Sequence, residues 1–164
     1  MALIVEDGSI VADAESYVSV TDADTIISNR GGNSNWDGLT VTDKEIQLRI
    51  ATEYIDSKYN FLGEEVSSDQ ELSFPRAYLP KDGADEIPKR IQGATAVLAA
   101  ESITIELYSN VAANRGAIKR TTDKLDVLET TVEYFSGGSG NDQPVFGEVR
   151  SILKPLICSS IGRS

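Results

Sequence analysis

The sequence predicts a mainly α fold: about a four-helix bundle with a projecting β-hairpin and a C-terminal helix that follows a flexible linker. Three observations carry this expectation. Apolar residues recur at helical spacing in two long runs, Ile46 to Ile55 and Ile91 to Ile105. β-Branched and aromatic residues concentrate once, between Val127 and Phe135. A Ser/Gly-rich stretch, Ser136 to Asp142, then precedes a last apolar stripe. The segments divide as a helical body with its hairpin (1–135), a flexible linker (136–143) and a C-terminal docking helix or tail (144–164).

The elements follow in order. Ala2 to Val20 holds β-formers interrupted by Asp and Gly, which reads as extended chain with at most a short strand. Thr21 ahead of Asp22 and Asp24 suits an N-cap, because the free N–H groups and the helix dipole both favour acceptors there. That helix runs to about Asn29 and stops at Gly31-Gly32. Thr42-Asp43-Lys44-Glu45 fits a capping box, and Ile46, Ile50, Ala51, Tyr54 and Ile55 form one apolar face, with Leu48 and Tyr59 on its flank. The helix ends near Tyr59-Asn60. Phe61 to Glu86 contains Gly63, Pro75, Pro80 and Gly83, too many breakers for a long element. Leu72, Phe74 and Tyr78 are expected to pin it to the core. Pro88 opens the next helix, where a missing N–H costs nothing. About twenty residues follow at helical period, dense in small side chains that allow close approach, so this helix is expected to be central. Thr122-Asp123-Lys124 is the expected turn of the hairpin. Phe146, Val149, Ile152, Leu153 and Leu156 form the final stripe, which Pro155 kinks or ends.

Composition excludes several chemistries. The 164 residues contain no histidine and one cysteine, so Ser-His-Asp and Cys-His catalysis and a structural zinc site fall away. No enzyme activity and no cofactor are expected. Fifteen Lys and Arg face 26 Asp and Glu, a formal charge of −11, which opposes a dedicated phosphate-backbone binder. The imbalance is uneven: residues 1–86 hold 18 acids and 6 bases, residues 87–164 hold 8 acids and 9 bases. Either a solvated acidic face or a channel-lining, partner-facing one accounts for it. No apolar run approaches the roughly 18 residues of a membrane span, and the N-terminus lacks the basic lead of a signal peptide. No membrane partner is expected.

Candidate sites are few. Asp22/Asp24, Glu64/Glu65 and Asp85/Glu86 are carboxylate pairs, but none has the spacing of a calcium loop, and solvated surface is the simpler account. Cys158, beside Leu156 and Ile157, reads as a buried inert thiol. Trp36 reads as core packing or an anchor for the loop after the first helix, ahead of a base-stacking role. Arg115, Lys119, Arg120 and Lys124 form a small basic cluster around the hairpin, either simply solvated or contacting DNA or an acidic protein surface. The C-terminal stripe either docks in a neighbour's apolar groove or packs on its own domain.

The order YVSVTDAD (Tyr17 to Asp24), Trp36, KEIQLRIATEYIDSKYNFLGE (Lys44 to Glu64), LSFPRAYLP (Leu72 to Pro80) and EIPKRIQGATAVLAAE (Glu86 to Glu101) resembles a phage family. VEYF (Val132 to Phe135) and SILKPLI (Ser151 to Ile157) suit it too. It is the DnaT-like single-stranded-DNA-binding family, whose members sit among head-completion proteins of tailed phages and prophages. The resemblance implies a structural head–tail adaptor (connector): a mainly helical subunit of a ring, commonly a dodecamer, under the portal protein. A stopper or tail-completion protein docks below, and genome DNA passes through the channel. It implies a place in the virion after assembly in the host cytoplasm, with Phe146, Val149, Ile152, Leu153 and Leu156 as portal or partner contacts. A single-stranded-DNA-binding module is the alternative. An acidic lumen would repel phosphates and let a genome slide.

Overall fold

The structure, a computed structural model, describes residues 2–79, 87–105, 107–108, 121–125, 128–132 and 146–158. The element order is α1 (Val20–Asn29), α2 (Ser34–Asp37), α3 (Val41–Lys58), β1 (Glu64–Glu65), β2 (Arg76–Ala77), α4 (Lys89–Glu101), β3 (Thr121–Leu125), β4 (Leu128–Val132) and α5 (Gly147–Leu153). The chain is mainly helical among the described residues, with two small antiparallel hairpins, β1–β2 and β3–β4. Two compact units result: residues 1–105 with 146–164, and residues 106–145.

In the first unit, α4 is the hub. Every residue from Ile91 to Ala100 except Gln92 is buried, and α4 packs against α1, α3 and α5. Its small side chains make that possible, as they let neighbouring backbones approach from several sides. The helix is shorter than its periodicity suggested. It ends at Glu101, where the Ser102 hydroxyl lies 2.8 Å from both the Ala99 carbonyl and the Gln47 amide oxygen. The β-branched run Ile103-Thr104-Ile105 that follows favours leaving the helix.

Two N-caps lie two residues ahead of the expected ones. Ser19, not Thr21, caps α1 by accepting from the Asp22 N–H at 3.1 Å. Thr40, not Thr42, caps α3 by accepting from the Asp43 N–H at 3.2 Å. In both, the Asp three residues on receives the cap hydroxyl's proton, Ser19 to Asp22 at 2.6 Å and Thr40 to Asp43 at 2.7 Å. The Asp thereby fixes the cap hydroxyl's orientation, whereas a capping-box Glu accepts from the cap's backbone N–H. The earlier start accompanies a rotated apolar face: Leu48, Ala51, Thr52, Tyr54 and Ile55 are buried, while Ile46 is 44% exposed. Thr52 joins the core because its hydroxyl donates to the Leu48 carbonyl at 2.8 Å.

The N-terminal segment is a loop folded around a carboxylate. Glu6 is buried and accepts from the N–H groups of Gly8 (2.8 Å), Ile10 (3.1 Å) and Val11 (2.9 Å). One parallel bridge, Val5 to Ser16, closes it. The breaker-rich stretch after α3 is fastened by Phe74, whose ring stands edge-on to Tyr17 and to Phe61 at centroid distances of 5.8 and 4.8 Å. Of the residues expected to pin it, Phe74 is fully buried and Leu72 half-buried; Tyr78 instead points outward, 83% exposed.

In the second unit, β3 and β4 pair from Thr121↔Val132 to Leu125↔Leu128. Thr122, Asp123 and Lys124 lie inside β3, so the expected turn at these residues is corrected: the register closes further along, beyond Leu125. The expected linker, 136–143, lies outside the described residues. The described residues hold five helices, one of them a single turn, with α1, α3 and α5 packed on α4; a four-helix bundle is not confirmed.

Candidate interaction surfaces

The C-terminal stripe is joined to its own body. Phe146, Val149, Leu153 and Leu156 are buried, and Ile152 is half-buried. Phe146 meets Tyr54 of α3 edge-on at 5.9 Å, and α5 lies along α4. Backbone bonds extend the attachment: Leu62 N–H donates to the Leu156 carbonyl at 2.8 Å, and Cys158 N–H to the Asn60 carbonyl at 2.7 Å. Of the two roles open to this stripe, packing on its own domain is the one these contacts describe. The segment 144–164 set apart in the sequence falls, from Phe146 onward, into the unit that contains residues 1–105. Cys158 is exposed, where a buried thiol was expected.

The basic cluster is only partly visible. Arg115, Lys119 and Arg120 lie outside the described residues, and Lys124 is placed by its backbone in β3.

The rest of the first unit presents an acidic exterior. Residues 2–79 carry fifteen carboxylates, Glu6 and Asp56 of them turned into the fold, against five cations. Four of those cations already face carboxylates: Arg30 with Glu148, Lys44 with Asp24 (2.8 Å), Arg49 with Glu15 (2.9 Å) and Arg76 with Glu65 (3.6 Å). Asp24 also accepts from the Trp36 indole N–H at 2.6 Å; Trp36 is buried and anchors the α1–α3 connection, in line with the core-packing or loop-anchoring role expected ahead of base stacking. Of the carboxylate pairs, Asp22 serves the α1 cap and Asp24 holds Trp36 and Lys44; Asp85 and Glu86 lie outside the described residues. The hydrogen bond from Arg49, foremost, holds the Glu15 carboxyl below its usual range. Between α1, α4 and α5 lies a cleft of about 150 Å³, with Ile27, Val97 and Ala100 on its floor and Glu101 and Glu148 at its edge. Burial, then the charge of Glu148, raises the Glu101 carboxyl.

Two features had no signal in the sequence. The first is a buried polar knot. The Tyr17 hydroxyl donates to the Asp56 carboxylate at 2.7 Å, and Ser73 N–H donates to the same carboxylate at 2.9 Å. Burial raises the Asp56 carboxyl, and these donors oppose the rise. Burial, then the Asp56 charge, raises the Tyr17 phenol far above its ordinary value. The second is the β1–β2 arm. The Arg76 guanidinium donates to the carbonyls of Leu62 (2.9 Å), Gly63 (2.9 Å) and Ser73 (3.2 Å), stapling both strands. Gly63 has φ +77, and a Cβ there would sit 2.2 Å from the Ala77 carbonyl oxygen, so only glycine lets the strands approach. The arm ends on Tyr78 at φ 61. Gly63 (in LGEE) and Arg76 (in FPRAY) fall in a stretch that reads from sequence only as turn-rich.

Comparison with known proteins identifies a family. A family model described as "Putative DnaT-like ssDNA binding protein" covers residues 1–164. No curated protein and no solved structure matches the chain. The description names single-stranded DNA and says nothing of a head–tail adaptor. Matched from its first residue to its last, this acidic, α4-centred chain belongs to the DnaT-like ssDNA-binding protein family.

Proposed function

We propose that this protein is a non-catalytic structural adaptor of a tailed phage, a ring subunit that joins a portal to the next tail-side protein while DNA passes through. One observation carries the reading: residues 2–79 carry fifteen carboxylates against five cations, and Arg30, Lys44, Arg49 and Arg76 all face carboxylates. Such a face repels phosphate oxygens at close range instead of collecting them. It suits a wall past which a polyanion moves, and it suits docking on basic protein surfaces. The polar groups of the core serve the fold: Glu6 organises the first loop, and Asp56 ties α3 to Tyr17 and Ser73.

A single-stranded-DNA-binding module is the second reading, and the family's description supports it more directly than it supports the adaptor. In that reading the contacts fall to the run Arg115, Lys119, Arg120 and Lys124, the densest group of cations in the chain. Sedimentation of the protein with portal rings from the phage or prophage that encodes it tests the first reading. Co-migration of stoichiometric protein with the rings supports an adaptor; separate migration at all ratios contradicts it.

A further inference from the structure

We propose that Tyr78 anchors a head-to-tail contact between copies of this chain, in which the Glu64–Tyr78 arm of one copy seats against Lys89 and Arg90 of the next. The inference deepens the adaptor reading, and rests on it only in expecting copies of the chain to meet.

Tyr78 is the most exposed large hydrophobic side chain among the described residues, at 83%, and it sits at φ 61. A bulky residue in the left-handed region is strained, and such strain persists only where the surroundings over-determine it. Here they do. Arg76 grips three carbonyls across the arm, and Gly63 lets the backbone of Ala77 come close. An aromatic side chain is therefore presented, 83% exposed, on a braced support. Rigid, protruding aromatics are the side chains that anchor interfaces, because little entropy is lost when they seat.

Charge selects the occupant. Glu64 and Glu65 are exposed on the strand paired with Arg76 and Ala77; Arg76 faces Glu65, which leaves the charge of Glu64 on the arm to disfavour a phosphate backbone. The complement is carried by the same molecule. Lys89 and Arg90 are adjacent, exposed, and make no ion pair among the described residues; the first turn of α4 holds no acid. A guanidinium or ammonium can lie over the Tyr78 ring while Glu64 meets the other cation. Arm and cations are different patches, so the contact is heterologous and propagates from copy to copy until rotation closes it.

Sedimentation velocity of the full chain across the micromolar range, at low and physiological salt, tests this. The wild type is expected to assemble with concentration and to weaken with salt. Tyr78→Gly is expected to weaken assembly about tenfold or more, the loss of a hot-spot side chain. Its thermal midpoint stays at or above that of the wild type, since glycine accepts φ 61 freely. Glu64→Lys alone and Lys89→Glu with Arg90→Glu alone each weaken assembly, and combining all three restores it. A wild type that stays monomeric, a Tyr78→Gly chain that assembles as the wild type does, or a combined variant that fails to recover overturns the proposal. Portal binding is read separately, so an adaptor that self-assembles by another surface is distinguishable from a chain that is no adaptor.

Discussion

Leu153→Ala measures whether the last helix belongs to the body. Leu153 is fully buried on α5, which lies along α4, and its neighbours Val149 and Leu156 are buried with it. Removing a buried leucine's outer carbons loses their transfer energy and leaves a void, together costing about 2–5 kcal/mol. For a chain of this length each kcal/mol shifts the thermal midpoint by roughly 2–4 °C, so a fall of about 4–20 °C is expected. Ile152→Ala, one position away and half-buried, serves as the internal control and should cost distinctly less. Urea unfolding followed by circular dichroism gives both free energies on one scale. A helix held out for a neighbouring molecule would show no difference between the two positions. A Leu153→Ala chain within about 0.5 kcal/mol of the wild type, the ordinary range of surface substitutions, would refute the packing described.

Other perturbations test separate parts of the account. Gly63→Ala places a Cβ 2.2 Å from the Ala77 carbonyl oxygen at a positive φ, so hydrogen exchange of the Glu64–Ala77 strands should accelerate well before the midpoint of global unfolding changes. Thr40→Ala removes the α3 cap and should cost about 1 kcal/mol in urea, with Thr42→Ala costing less than half of that. Asp56 has its folded pKa raised by burial, so its contribution to stability is full below about pH 4 and is lost as pH rises through the folded value. Asp56→Asn lacks this titration; its deficit against the wild type should therefore shrink between pH 4 and pH 7, and a deficit that grows contradicts the environment described.

Helices were legible where the pattern was long and locally punctuated. Pro88 and the small-residue run marked α4 as a central helix, and Gly31-Gly32 marked the end of α1, since such signals act within a turn or two of chain. Their edges were not, because Ser19 and Thr21, or Thr40 and Thr42, are equivalent hydroxyls by composition; the choice depends on which backbone N–H each reaches. Ile46 and Ile50 read as core, whereas Leu48 and Thr52 occupy it, since the face of α3 is set by the position of α4. The C-terminal stripe was legible as apolar, but not its location: periodicity says that a face is buried and not by what. Glu6, Asp56 and Arg76 gave no signal, as their roles depend on partners 2 to 39 positions away, and Tyr78 read as a core anchor because its backbone angle has no mark in the sequence.

The claim that matters most is that this acidic family member works by fitting proteins together and does not itself grip nucleic acid. Fluorescence anisotropy of a labelled oligothymidylate, titrated with the full chain at physiological salt and again at low salt, tests it most directly. The account expects no saturable binding at physiological salt, with at most a weak association at low salt. Tight, saturable binding whose affinity falls steeply with salt would contradict it and establish the single-stranded-DNA-binding reading in its place.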